Sequence, residues 1–232
     1  MPTGPEQFVL DLARADAPSF DNFVAGANRE SVAALRALAA AQSRDSGILL
    51  WGAAGAGKSH LLRAAAHAAA VVRPVVWCPA PRDAPAIGDV PTAGLVVVDA
   101  LDTAGAAEQG RLFTLVNELP ARAGQWLFAA AAPPAALALR DDLRTRLALG
   151  LVFEVAALAD DDKPLALAAY ARERGFRLSD DVIAYLLVHG RRDMPSLVAT
   201  LAALDRHSLA TRRAVTVPLL REWLQRDLGL SR

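Results

Sequence analysis

At 232 residues the chain is long enough for one large or two small domains, each with a hydrophobic core. Its formal net charge is zero without any marked basic block, which disfavours direct DNA binding, and no apolar run approaches the roughly 20 residues of a membrane-spanning helix. The single cysteine excludes a disulfide framework and a cysteine-based zinc site, and the N-terminus lacks the basic residues of a signal peptide, so we expect a cytoplasmic protein.

Residues 1–18 contain three prolines and no long periodic pattern, which predicts an extended N-terminal tail. Within it Gln7 leads a short apolar cluster that includes Phe8, Leu10 and Leu12. Two interpretations stay open from the residues alone. The cluster packs on its own domain, or it docks into a pocket of a partner protein.

Residues 19–24 form a turn-rich segment with two phenylalanines, and residues 30–42 then carry apolar side chains at helical spacing. Asn28 precedes this predicted helix and has the side chain of an N-cap.

A phosphate-binding loop is the strongest signal in the chain. Residues 52–59 have the pattern G-x-x-x-x-G-K-S, with an apolar strand before them and a helix-forming stretch, about residues 58–70, after them. The glycines Gly52, Gly55 and Gly57 let backbone amides face a phosphate, Lys58 reaches the β- and γ-phosphates, and Ser59 is a ligand for Mg²⁺. The alternative is a glycine-rich turn without a ligand. Only two of the 25 basic residues are lysines, which makes a lysine at this position all the more specific.

Apolar strands and amphipathic helices alternate after this loop. We predict strands at 74–78, 95–98, 126–130 and 151–155, a loop at 79–91, and helices at 108–119 and 141–149. The run at 95–98 is continuous and β-branched, as in a strand buried on both faces of a parallel sheet, and it ends at Asp99. Asp99 is therefore a second candidate for holding Mg²⁺, at the carboxyl end of its strand.

From residue 160 onward the pattern is helical throughout, with predicted helices at about 161–175, 179–189, 193–209 and 216–228. The expected architecture is an α/β nucleotide-binding domain, with a parallel sheet and helices on both faces, followed by a small all-helical domain. We place the tail at 1–18, the α/β domain at 19–157 and the helical lid domain at 158–232.

Three features together resemble the AAA+ ATPases, specifically the DnaA replication-initiator group: the run F-D-N-F-V at 20–24, His60 after the P-loop serine, and the four C-terminal helices. The sequence has a short glutamine-led tail, and we expect no helix-turn-helix domain after the four helices. In both respects it is similar to the Hda family, the regulatory inactivators of DnaA.

The resemblance implies two partners, DnaA and the DNA polymerase III sliding clamp, the latter bound through Gln7, Phe8, Leu10 and Leu12. It also assigns His60 to the nucleotide site, and it points to Arg146 as an arginine finger that acts on the ATP of a neighbouring DnaA. Homodimerisation or larger self-association is left open.

Three groups that sense or attack a γ-phosphate depart from the AAA+ pattern. Ala100 follows Asp99 where a hydrolysing enzyme has an acid, and residues 128–132 offer no polar side chain at the end of their strand. The lid has Met194, Pro195 and Ser196 where an arginine is expected, and Arg191 or Arg192 would stand in only out of register. We therefore expect a protein that binds ADP (or ATP) with Mg²⁺ and hydrolyses little ATP alone.

Two rival functions remain at this point. One is an autonomous P-loop ATPase of the helicase-loader type, against which Ala100 argues because the catalytic acid would be missing. The other is a non-catalytic adaptor in which the nucleotide only braces the domain.

Overall fold

The computed structural model describes residues 18–191, 193–211 and 213–227. These residues form two compact units, one spanning 18–159 and the other beginning at Asp160. Each unit has its own hydrophobic core and is described separately.

The first unit is built on a five-stranded sheet in which every neighbouring pair of strands is parallel. The strands are β1 (Gly47–Trp51), β2 (Val75–Cys78), β3 (Leu95–Val98), β4 (Gln125–Ala130) and β5 (Leu151–Glu154). Their order across the sheet is β2-β3-β4-β1-β5, so β1 lies between β4 and β5. Because the strands are parallel, the residues that follow β1, β3 and β4 all meet at one edge, where ligands bind in open α/β sheets.

Helices cover both faces of this sheet, as the sequence predicted. They are α1 (Arg29–Ala39), α2 (Lys58–Ala69), α3 (Ala106–Glu118) and α4 (Asp141–Leu147). The side chains of a strand alternate between the two faces: Ile48 and Leu50 join the core under α1 and α2, whereas Leu49 joins the core under α3 and α4. All three are fully buried, which explains why β1 is a continuous apolar run.

Asn28 occupies the predicted N-cap position of α1, but its side chain makes no capping hydrogen bond. Its amide is buried and pairs twice with the backbone of Ala156, donating to the carbonyl at 3.0 Å and accepting from the N–H at 2.8 Å. The backbone of Ala156, which follows β5, offers a donor and an acceptor together, and this pairing satisfies both ends of the amide away from water.

The second unit is all-helical, as predicted. Its helices are α5 (Lys163–Glu173), α6 (Asp180–His189), α7 (Met194–Thr211) and α8 (Val217–Asp227). Their core is mainly leucine, and it is joined by a buried ion pair in which Arg174 Nε donates to Asp205 Oδ2 at 3.1 Å. Within the described residues, no helix is both long and apolar enough to cross a membrane.

Candidate functional site

The P-loop connects β1 to α2 and ends in a left-handed residue. Gly57, the residue before α2, has φ +102°, and a Cβ there would come within 2.7 Å of the Phe23 ring. Gly52, the first residue of the loop, has φ +151°, and a Cβ there would come within 2.4 Å of the Val155 carbonyl oxygen. Both positions therefore require glycine, through backbone conformation and close approach together.

The backbone amides of this loop are available to a ligand. Within the part of the chain that the structure describes, the N–H groups of Gly55, Gly57, Lys58 and Ser59 donate to no backbone or side-chain oxygen. The first amides of any helix lack intrahelical partners and carry its partial positive charge. A cluster of unpaired donors at a helix N-terminus is a favourable place for a phosphate group.

Lys58 supplies the positive charge of the site. Its Nζ donates to the carbonyl oxygens of Gly52 and Ala53, at 2.7 and 2.9 Å. Partial burial lowers the pKa of Lys58, while the carboxylates of Asp99 and Asp102 oppose this shift. The ammonium group thus rests on two neutral carbonyls, which a phosphate can replace with stronger, charge-assisted hydrogen bonds.

The segment before α1 is held against the P-loop helix. The His60 Nε2 atom lies 3.0 Å from the Ser19 carbonyl oxygen, and the His67 Nδ1 atom lies 3.2 Å from that of Pro18. A carbonyl oxygen only accepts, so each of these imidazole nitrogens carries the hydrogen that is donated. The Phe23 ring also contacts His60, with 5.5 Å between ring centroids. His60 therefore positions the segment beside the P-loop.

Ser59 and Asp99 are the two predicted ligands for Mg²⁺. Ser59 is exposed in the first turn of α2, and Asp99 directly follows β3 at the carboxyl edge, where its Oδ1 accepts the Ala100 N–H at 2.8 Å. Among the described residues there is no cluster of three or more His, Cys, Asp or Glu side chains that could hold a metal alone. The donor set fits Mg²⁺, which takes one or two protein oxygens and completes its shell with phosphate and water.

Two of the three positions that depart from the AAA+ pattern lie at this edge of the sheet and are alanines. Ala100 has a left-handed backbone, φ +52°, and its methyl group cannot act as a base. Residues 129–132, at the end of β4, are four alanines. The N–H of Ala131 is already taken by Oδ1 of Asp102, at 2.9 Å. Asp102 thus lies at the nucleotide edge.

The arginines of α4 and the residue before it differ in their partners. Arg140 pairs with Asp142 and Arg144 with Asp141, both at 2.6 Å. Arg146 lies on the same short helix, exposed, and pairs with no carboxylate among the described residues. The structure therefore leaves the cation of Arg146 available to another molecule.

Several predicted residues stay untested by this geometry. Gln7, Phe8, Leu10 and Leu12 lie outside the described residues, as does Arg192. Arg191 and the segment 194–196 belong to the helical unit. The contacts of Phe23 with Gly57 and of His67 with Pro18 were not anticipated. For the histidines the sequence does carry a signal: His60 and His67 are seven residues apart, which places them on one face of α2.

Two family models match this chain, one in each unit. The model described as the bacterial DnaA ATPase domain matches residues 15–76, and the model described as the lid domain of Hda matches residues 160–224. The first range includes the P-loop and the segment that packs on it. The second contains most of the four helices of the lid.

Solved structures share the fold at low sequence identity. Domain III of the Thermotoga maritima replication initiation protein DnaA superposes with a TM-score of 0.77 at 18% identity, over 89% of this chain and 95% of that one. AMPPCP-bound DnaA from Aquifex aeolicus gives 0.65 at 20% identity, over 81% of this chain and 65% of that one. The Thermotoga maritima RuvB Holliday junction branch migration motor gives 0.67 at 15% identity, over 90% and 71%.

The RuvB match shows that the fold alone is shared more widely than by initiators, so the assignment depends on the two family models. With a DnaA-type P-loop segment and an Hda-type lid on one AAA+ fold, the chain is an Hda/DnaA-related AAA+ protein.

Proposed function

We propose that this protein regulates the initiation of chromosome replication by stimulating hydrolysis of the ATP bound to DnaA, and so prevents re-initiation. The observation that carries the proposal is the exposed, unpaired Arg146 on α4, beside two arginines that are both paired. An arginine finger must be free to leave its own surface and stabilise charge on the γ-phosphoryl group of a neighbour.

The protein's own nucleotide has a structural role in this proposal. The free amides of the P-loop and Lys58 bind the diphosphate part of ADP or ATP, and Ser59 and Asp99 hold Mg²⁺ against it. A bound Mg²⁺ neutralises phosphate charge. Because Ala100 offers no base and the end of β4 no polar side chain, the site favours retention of ADP over turnover of ATP. One related structure is of DnaA with the ATP analogue AMPPCP bound, which supports nucleotide binding by this chain.

The N-terminal tail tethers the regulator in this proposal. Gln7, Phe8, Leu10 and Leu12 bind the DNA polymerase III sliding clamp, which confines the protein to replicated DNA and raises its effective concentration near DnaA. This agrees with a cytoplasmic bacterial protein that itself makes no sequence-specific contact with DNA.

Hydrolysis by DnaA provides the decisive test. ATP-loaded DnaA is mixed with this protein and with clamp loaded on DNA, and phosphate release is followed. Arg146→Ala should lower the stimulated rate by about 10³–10⁵, equivalent to roughly 4–7 kcal/mol of transition-state stabilisation. Arg144→Ala is the matched control on the same helix, since its exposed pair with Asp141 contributes only about 0.3–0.5 kcal/mol. Equal stimulation by wild type and Arg146→Ala would refute the finger.

Two further measurements separate this proposal from its rivals. Rapid ATP turnover by the purified protein alone, abolished by Lys58→Ala, would indicate an autonomous ATPase. Loss of clamp binding in Gln7→Ala, together with an unchanged nucleotide state of DnaA, would indicate an adaptor. Gel filtration with and without ADP reports whether self-association competes with DnaA for Arg146.

A further inference from the structure

Asp102 reaches from one strand to the next at the nucleotide edge. It lies in the short turn Leu101–Thr103 after β3, and its Oδ1 accepts the N–H of Ala131, the first residue after β4, at 2.9 Å. In the register of β1 with β4, Ala130 is opposite Trp51, so Ala131 is next to Gly52 at the mouth of the P-loop. The order of the strands therefore places the Asp102 carboxylate beside the P-loop, which would bind the phosphates.

Two carboxylates act on the Lys58 ammonium group at this edge. Lys58 lies within electrostatic range of both Asp99 and Asp102, and each of these carboxylates favours its ammonium form. Asp99 directly follows β3 and is the predicted partner of Mg²⁺, as in other P-loop proteins. Asp102 is an additional carboxylate at the same edge, and it is exposed, so its negative charge can act on a bound nucleotide.

A γ-phosphate would extend toward this carboxylate. The amides of a P-loop hold the α- and β-phosphates and its lysine spans the β- and γ-phosphates, so the terminal group of ATP points to the ends of the neighbouring strands. There it would meet Asp102 and a row of alanines. The Ala131 N–H, which could have donated to it, is already bonded to Asp102. ADP has no γ-phosphate, so it meets neither the repulsion by Asp102 nor the lack of a free hydrogen-bond donor.

We propose that Asp102 is a specificity residue that makes this site prefer a nucleoside diphosphate over a triphosphate, by placing a carboxylate where the γ-phosphate would lie. The inference depends on the nucleotide site of the proposed function. A rival role for Asp102 is that of a general base replacing the acid missing at Ala100. In that case its removal would abolish hydrolysis and leave the ratio of the ADP and ATP affinities unchanged.

The affinities of ADP and ATP are measured by calorimetry in EDTA, for wild type and for Asp102→Asn. Asparagine keeps an oxygen that can accept from Ala131 and removes only the charge. We expect the ATP affinity to rise about tenfold and the ADP affinity to change by less than about twofold, as for the loss of one like charge near a partly exposed phosphate. Asp89→Asn is the control, because Asp89 is an exposed turn carboxylate that does not act on Lys58.

The role of Asp102 would be overturned if the ratio of ATP affinity to ADP affinity in Asp102→Asn stayed within about twofold of the wild-type ratio. It would also be overturned if the ATP affinity of Asp102→Asn fell. Loss of Mg²⁺-dependent ATP turnover in Asp102→Asn at an unchanged ratio would establish the general base instead. Absence of binding of either nucleotide to wild type would refute the nucleotide site itself, and with it this inference.

A second measurement needs no variant. At about 1 M salt the Debye length shrinks to about 3 Å, so the wild-type preference for ADP should weaken toward that of Asp102→Asn. A preference that is independent of salt would contradict an electrostatic origin.

Discussion

Replacement of Gly57 by alanine tests whether the shape of the P-loop is set by its backbone. Gly57 has φ +102°, well beyond the left-handed minimum near +57° that an L-residue can occupy. Such conformations cost a residue with a Cβ about 1–3 kcal/mol. The new methyl group would also lie 2.7 Å from the Phe23 ring, which is itself in contact with His60.

The backbone term should dominate, because the tip of the Phe23 side chain can move aside, whereas a φ of +102° is strained for any residue with a Cβ whatever space surrounds it. If the loop keeps its shape, Gly57→Ala loses about 1–3 kcal/mol of folding free energy. If the loop relaxes instead, the same amount appears as weaker ADP binding, about fivefold to a hundredfold at about 1.4 kcal/mol per decade. Denaturation with a fixed excess of ADP reports the sum of both effects, since ligand affinity adds to the stability of the folded state.

The matched control is Gly88→Ala. Gly88 has no positive φ, and a Cβ there meets nothing within 4 Å, so little change is expected. A double-mutant cycle with Phe23→Ala isolates the steric part, which should be the smaller one. The reasoning fails if Gly57→Ala matches wild type both in stability and in ADP affinity.

Three other substitutions test features away from the phosphate loop. Asn28→Ala should lower the free energy of unfolding by about 1–3 kcal/mol in urea, because the half-buried N–H and C=O groups of Ala156 both lose their partner; a loss near zero would mean that water replaces the amide. Asp205→Ala should cost about 3–5 kcal/mol, since it leaves the Arg174 guanidinium buried without its carboxylate, and a cost typical of surface pairs would contradict this. Burial raises the pKa of the Cys78 thiol from 9.0 to about 11, so the folded state holds this proton more tightly than the unfolded chain. The stabilising contribution of the protonated Cys78 thiol is complete below about pH 9 and is lost as the pH rises to about 11. In this pH window the stability of the wild type should therefore fall more steeply than that of Cys78→Ala. Parallel curves for the two proteins would refute this.

The sequence by itself determined the order and type of the main elements. A fully buried parallel strand is a run of apolar residues, and a surface helix repeats its apolar positions every three to four residues, so β1, β3 and the four lid helices are visible in local patterns. The P-loop is equally local, because its glycines, Lys58 and Ser59 are consecutive in the chain. Asp99 was found because it ends a strand.

Only the tertiary structure decided which polar groups meet across the sheet and between its connections. Asn28 looked like a helix cap and instead bonds to the backbone of Ala156, 128 residues away. Asp102 reaches Ala131 because β3 lies beside β4, and this contact is next to the P-loop because β4 lies beside β1. Arg140 and Arg144 each have a carboxylate partner, whereas the exposed Arg146 has none among the described residues. Strand order and register fix such contacts, and neither is encoded in the local periodicity from which a sequence can be interpreted.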